Sequence, residues 1–329
     1  MNIDHLPKVE LHLHLDCSLS YNLVKHLRPK TTLEEYREHF IAPAKCPDLA
    51  DYIKKAVSAI ELMQTKEHLR LVVLDLFDQL KLDNVIYAEM RFAPLEHLAN
   101  GMTPEGVVTT VNQAVMEGTL ETGIQAGIIL CTLRHYSAEK SMQTAELVNT
   151  FKGTTVVGFD IASDEAGFPI DNHIAAFQYA REHKLNCTAH AGEALGAPSV
   201  WETLEHFKPV RIGHGVRSAE DVQLLKFLRD NNIHLEVCPT SNVQTNIFKE
   251  IRNHNITELY DSGVSLSLNT DCRTISDVTL GSEYNLLQEV FGWTKEHFYQ
   301  CNKEAIEHAF SSNTVKKELF QILRTGFKL

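Results

Sequence analysis

His12-Leu13-His14 sets two imidazoles one residue apart. On a β-strand, residues i and i+2 point to the same face. Two imidazoles side by side at a strand's C-terminal end can share one metal ion, although H-x-H by itself fits a polar strand face equally well. Three further polar clusters follow: His190-Ala191-Gly192-Glu193, Gly213-His214-Gly215 and Asn269-Thr270-Asp271. Each closes a short run rich in β-branched and apolar residues. Ionisable groups gathered at the C-terminal ends of strands are a poor way to stabilise a core, and taken together they read as a metal site. Imidazoles with one carboxylate and no thiolate suit Zn²⁺ and are tolerable for Fe²⁺, Co²⁺ or Mn²⁺. Ca²⁺ and Mg²⁺ prefer oxygen. A catalytic zinc with an open position lowers the pKa of water to about 7, which leaves Glu193 and His214 for proton work beside that water.

The elements that would carry these groups alternate along the chain. Candidate strands lie at 9–16, 84–92, 124–134, 155–163, 186–191, 211–215, 234–238 and 264–271. Helical patterns fall between them. Residues 65–82 carry Leu69, Val72, Val73, Leu76 and Leu80 on one face. Thr103-Pro104-Glu105 reads as a helix start. Residues 218–231 begin with Ser218 as a cap and show Val222, Leu225 and Leu228; 171–184 and 198–207 look similar. Eight strands alternating with helices predict a (β/α)8 TIM barrel, in one domain over 1–329, with extra helices after the first strand in 22–66. A doubly wound open sheet also alternates, but the chain lacks both G-x-G-x-x-G after an early strand and G-x-x-x-x-G-K-[ST]. In a barrel, the C-terminal strand ends form one mouth, where active sites are built.

The 329 residues are 43 % hydrophobic and 22 % charged, a globular balance. Thirty-one Lys+Arg against 43 Asp+Glu give a net charge of −12. This acidity offers no basic field to a nucleic acid and suits a small neutral or cationic ligand. Seven widely spaced cysteines form no C-x-x-C and read as reduced thiols in a cytoplasm. Residues 1–8 have no apolar signal core, and the longest uncharged stretch, 122–133, is too short to span a bilayer. No membrane partner is expected.

Other patterns carry less. His234-Leu235-Glu236 matches half of a nucleic-acid deaminase signature, but Cys238 precedes Pro239 rather than following it, so a structural role is expected for both. No H-E-x-x-H and no G-x-S-x-G occurs. Arg91 and Arg134, at strand ends, could meet substrate or form buried ion pairs.

Six segments, in order and spanning nearly the whole chain, resemble the adenosine/AMP deaminase family of metal-dependent aminohydrolases. They are Lys8-Val9-Glu10-Leu11-His12-Leu13-His14-Leu15-Asp16, Asp160-Ile161-Ala162-Ser163-Asp164-Glu165, His190-Ala191-Gly192-Glu193, Ile212-Gly213-His214-Gly215, Cys238-Pro239-Thr240-Ser241-Asn242 and Ser267-Leu268-Asn269-Thr270-Asp271. The resemblance implies a (β/α)8 barrel with one zinc per chain, held by His12, His14, His190 and Asp271. It makes Glu193 the proton donor to a purine ring and His214 the partner of the activated water, with Asp271 as a further catalytic group. It places His14, Asp16, Ser163 and Cys272 against the substrate: Asp16 at the ribose 5′-hydroxyl, and the Ser163 backbone at the purine edge.

Three positions depart from the family pattern. Ser163 and Cys17 stand where glycine is usual, and Cys272 stands where many members carry a second Asp that meets the purine's imidazole edge. A thiol is a weak donor and acceptor. The expected activity is hydrolytic deamination of adenosine and 2′-deoxyadenosine, with adenine or a 5′-modified adenosine as the alternative substrate. A nucleotide is disfavoured because no Lys/Arg cluster accompanies Asp16. A two-metal hydrolase with a bridging lysine is disfavoured because no lysine closes a candidate strand. A retired enzyme kept as a binding protein is disfavoured because Glu193, His214 and the ligand set are all present.

Overall fold

A computed structural model describes residue 3 and residues 5–328, so part of the N-terminal stretch expected to lack a signal core lies outside the described residues. The eight strands are β1 (Lys8–His14), β2 (Val85–Phe92), β3 (Gln125–Leu133), β4 (Val156–Ala162), β5 (Thr188–Ala191), β6 (Arg211–His214), β7 (His234–Val237) and β8 (Leu266–Leu268). All pair in parallel, in two runs, β1-β2-β3-β4 and β5-β6-β7-β8. Bridges between Phe159 and Cys187 and between Leu13 and Asp271 join the two runs at both seams. The second seam is held by His14 N–H donating to Asp271 O at 2.7 Å and Asp271 N–H donating to His12 O at 3.0 Å. The barrel is therefore closed, as the alternation predicted.

The strands are shorter than the sequence pattern suggests. β8 ends at Leu268, and Asp271 pairs with β1 as an isolated bridge. Asp16 lies just past β1, in a 3₁₀ turn at Leu15–Cys17. His14 and His214 close their strands and His190 stands one residue before the end of β5, whereas Asp16, Glu193 and Asp271 lie just beyond the strand ends.

Helix Lys66–Leu82 buries the five predicted apolar residues plus Phe77, and the Thr65 side chain caps it. Thr103 caps helix Pro104–Thr122, with Pro104 at its first position. Residues 171–184 resolve into a 3₁₀ turn at Asp171–His173 and helix Ile174–Glu182. Helix Ala197–His206 covers the 198–207 pattern. The 218–231 expectation needs correction. Ser218 lies buried in a 3₁₀ turn, Val216–Glu220, and Asp221 caps helix Val222–Asp230 by accepting from Gln223 N–H. The buried face is Leu224, Leu225 and Leu228, while Val222 is 74 % exposed.

The excursion after β1 forms four short helices, Tyr21–Leu27, Leu33–Phe40, Leu49–Ile53 and Ala56–Ile60. The last two overhang the barrel mouth and contribute Leu49, Tyr52, Ile53, Ala56, Val57 and Ile60 to the wall of its cavity. All seven cysteines are free and buried. No helix among the described residues is long and apolar enough to cross a membrane.

The barrel interior below the mouth is charged. Arg91 on β2 donates to Asp160 on β4 at 2.7 Å and to Glu236 on β7 at 2.6 Å. Arg211 on β6 pairs with Glu89 at 2.6 Å and with Glu236 at 2.7 Å. All five side chains are fully buried. Burial opposes the charge on Glu236, but Arg91 and Arg211 outweigh it and hold the carboxyl well below its ordinary range. Removing one partner from such a network leaves buried charges uncompensated. We expect Glu236→Leu to lower unfolding stability by about 3–5 kcal/mol. A denaturant midpoint equal to the wild type would contradict this.

Candidate active site

One cavity opens at the C-terminal ends of the strands. It is lined by His14, Asp16, Ser163, His190, Glu193, His214, Asp271 and Cys272, so the structure brings together every site residue expected from the sequence except His12, which lies fully buried directly beneath. The His12 ring lies 4.5 Å from that of His190, 4.8 Å from His214 and 5.3 Å from His14, centroid to centroid. Asp271 Oδ1 is 3.3 Å from His12 Nε2 and 3.4 Å from His14 Nε2. His14 Nε2 lies 3.2 Å from His190 Nε2.

This donor set fits a metal ion. His12 Nε2 is buried and makes no hydrogen bond. Nδ1 of His12 faces Glu236 at 2.9 Å, and Nδ1 of His190 faces Asp160 at 3.0 Å. A carboxylate accepts from Nδ1–H, so the Nε2 lone pair of each ring points into the centre, the arrangement that orients a ligating histidine. His12, His190, His214 and Asp271 offer ligand atoms that all lie within 4.8 Å of one another.

Glu193 stands beside this cluster, its Oε2 3.5 Å from His214 Nε2. Its Oε1 is buried and unpaired. Burial, with the negative charges of Asp271 and Glu165, pushes its pKa well above the ordinary carboxylate value. A carboxyl so placed holds its proton above the ordinary carboxylate range and can act as an acid. The loop that carries it is held by Glu165, which accepts from the N–H groups of Gly192 (2.8 Å), Glu193 (3.0 Å) and Leu195 (2.9 Å) and from Ser199 Oγ (2.6 Å).

Several site residues have left-handed backbones. His214 has φ 61°, Asp271 φ 63° and Ser163 φ 85°. Such conformations cost about 1–3 kcal/mol and persist where the surroundings impose them. At Ser163 this accounts for the glycine usual in the resembling family: the serine keeps a glycine-like backbone. Cys17 and Cys272 both reach the cavity wall, and the Cys272 thiol points to Asp271 Oδ1 at 3.6 Å. Burial raises Asp16 to about 6, against a long hydrogen bond from Ala93 N–H.

Asp160, Glu165, Ser241 and Asn242 were given no role from sequence, and Glu236 only a structural one, yet each holds a site residue in place; Ser241 Oγ donates to Asp271 Oδ2 at 2.6 Å, and Asn242 Nδ2 lies 3.0 Å from His214 Nδ1. Glu236 was expected to be structural, and it is, but it also orients His12. The available signal was a carboxylate in the middle of an apolar strand, at the period that points inward. Arg91 proves to be a buried ion pair. Arg134 donates to His190 O at 2.9 Å and does not line the cavity.

A closed parallel barrel with imidazoles and carboxylates converging at its C-terminal mouth is the layout of a barrel enzyme built on a histidine–aspartate centre. The family model described as adenosine deaminase matches residues 7–325. An adenosine deaminase of Clostridium acetobutylicum is 33 % identical over 98 % of both chains. An adenine deaminase from Arthrobacter aurescens superposes with a TM-score of 0.90 at 24 % identity, over 98 % of this chain and 100 % of the other. The Arabidopsis N6-mAMP deaminase gives 0.87 at 25 % identity, over 98 % and 99 %. The chain belongs to the adenosine deaminase family and is a deaminase hydrolase.

Proposed function

We propose that this protein hydrolyses adenosine and 2′-deoxyadenosine to inosine and 2′-deoxyinosine with release of ammonia, using one zinc ion held by His12, His14, His190 and Asp271. The observation that carries the reading is the buried Glu193 carboxyl, set 3.5 Å from His214 Nε2 and beside the histidine–aspartate cluster in one cavity. The curated relative named above supports the nucleoside. The cavity lining supports it too: Asp16 and Glu96 are acidic, and no lysine or arginine among the described residues lines it. A phosphate on that side would meet no cationic side chain among the described lining residues, and the carboxylates of Asp16 and Glu96 would repel it.

The chemistry such an ion supplies when bound is Lewis acidity, which brings the pKa of water near 7. Glu193 donates a proton to ring nitrogen 1, which relieves the aromatic resistance of carbon 6 to becoming tetrahedral. Water oxygen adds to carbon 6 and gives up its two protons, one to the departing amino group and one to restore the Glu193 carboxyl. Asp271 and His214 orient that oxygen. The amino group takes up a proton and leaves as ammonia, so substrate plus water becomes the 6-oxo purine plus ammonia. Asp16 binds the ribose 5′-hydroxyl, and the backbone of Ser163 and the thiol of Cys272 meet the purine edge.

A second reading is favoured by the apolar roof of Leu49, Ile53, Ala56, Val57 and Ile60, which suits an adenosine with an apolar 5′ substituent. Ammonia release should be compared for adenosine, 2′-deoxyadenosine, adenine, AMP and such a 5′ analogue. We expect turnover of the two plain nucleosides and none of AMP. Turnover of the bulky analogue or adenine alone would replace adenosine as the substrate. No release from any of them would overturn the reading.

A further inference from the structure

His214 stands within reach of the same centre as the metal ligands, and a chain of buried hydrogen bonds sets its ring. The chain of bonds begins at a backbone group. Ile256 N–H donates to Nδ1 of His254 at 3.1 Å. A backbone N–H can only donate, so Nδ1 of His254 carries no proton and the ring's one proton sits on Nε2. That nitrogen lies 3.3 Å from Asn242 Oδ1. The Nε2–H needs an acceptor, which fixes the Asn242 amide with its carbonyl toward His254 and its NH₂ toward His214. The amide nitrogen is 3.0 Å from His214 Nδ1. Nδ1 of His214 must accept, so the proton of that ring is on Nε2, facing the cavity. All three side chains are buried, so no solvent competes for these bonds. Burial also pushes His254 down to about 3, in keeping with a neutral ring.

The rings of His12 and His190 are set the opposite way, with Nδ1 facing Glu236 and Asp160 and the Nε2 lone pair inward. We propose that Asn242 and His254 are positioning residues that lock His214 as its Nε2–H tautomer, so that it donates a hydrogen bond to the reacting oxygen instead of ligating the metal or accepting a proton. A nitrogen that bears hydrogen has no lone pair for a metal. The residual ligand set is then His12, His14, His190 and Asp271. The role toward the reacting oxygen rests on the proposed deaminase reading; the tautomer does not.

The test is long-range ¹H–¹⁵N correlation spectroscopy of the zinc-loaded protein with ¹⁵N-labelled histidine, His214 being assigned by its loss in His214→Gln. We expect a bare Nδ1 and a proton-bearing Nε2 for His214. A proton on Nδ1, alone or with Nε2, overturns the proposal, whether or not any nucleoside is deaminated. Asn242→Asp supplies a carboxylate that accepts from Nδ1–H, and should invert the pattern while kcat falls roughly 10²–10⁴-fold and KM changes little. Inversion with wild-type kcat would overturn the donor role. If Asn242→Asp does not fold, the wild-type spectrum still decides the tautomer.

Discussion

Glu193→Gln is expected to bind zinc and nucleoside as the wild type does and to lose turnover by roughly 10²–10⁴-fold, the usual contribution of one positioned acid. The amide matches the carboxyl in size, and the loop that carries it is held through main-chain N–H groups on Glu165, which the substitution leaves untouched. What is lost is a proton that can be given to the ring. The same group sets a pH limit. Its pKa is raised by burial and by the charges of Asp271 and Glu165, so the donor form persists above the ordinary carboxylate range, and turnover should fall as the pH rises through that raised value. Steady-state kinetics and metal analysis on the one variant check both statements. Turnover near wild type would remove Glu193 from the acid role.

Asp271→Asn should lower zinc content and turnover together. Asparagine is a better probe than alanine here, because residue 271 has φ 63° and asparagine tolerates the left-handed region. The substitution keeps an oxygen that Ser241 can bond and removes the negative charge 3.3 Å from His12 Nε2 and 3.4 Å from His14 Nε2. Three imidazoles alone hold a divalent ion with less charge compensation than three imidazoles and a carboxylate. The measurement is metal per chain after dialysis against a weak chelator, followed by ammonia release. A variant with full zinc but no activity would place Asp271 in proton handling only, and one with full zinc and full activity would remove it from the site.

The polar strand ends were readable before any fold was known. His12, His14, His190, Glu193, His214 and Asp271 stand out because ionisable residues close apolar runs, where a core gains nothing from them. The eightfold alternation that positions them was readable for the same reason, since strand and helix periods differ. The limits of each strand were less legible. β8 has three residues where eight were expected: Asn269 N–H still donates to Val237 O, but beyond it the ladder with β7 stops and Asp271 pairs with β1 instead. Ser218 resembles a helix cap in one dimension, yet the chain first makes a 3₁₀ turn and Asp221 takes the cap.

Residue type and periodicity are local properties, and they marked the candidate reacting groups, their order along the chain and the barrel that carries them. Which carboxylate turns which imidazole depends on contacts made only in the folded chain. Glu236 lies 224 residues from His12, Asp160 lies 30 from His190, and Asn242 lies 28 from His214. No period or spacing links such pairs. They meet because a closed barrel brings distant strand ends to one mouth, and in that buried space each polar hydrogen must find an acceptor, which fixes the tautomer of every ring whose partner is in place.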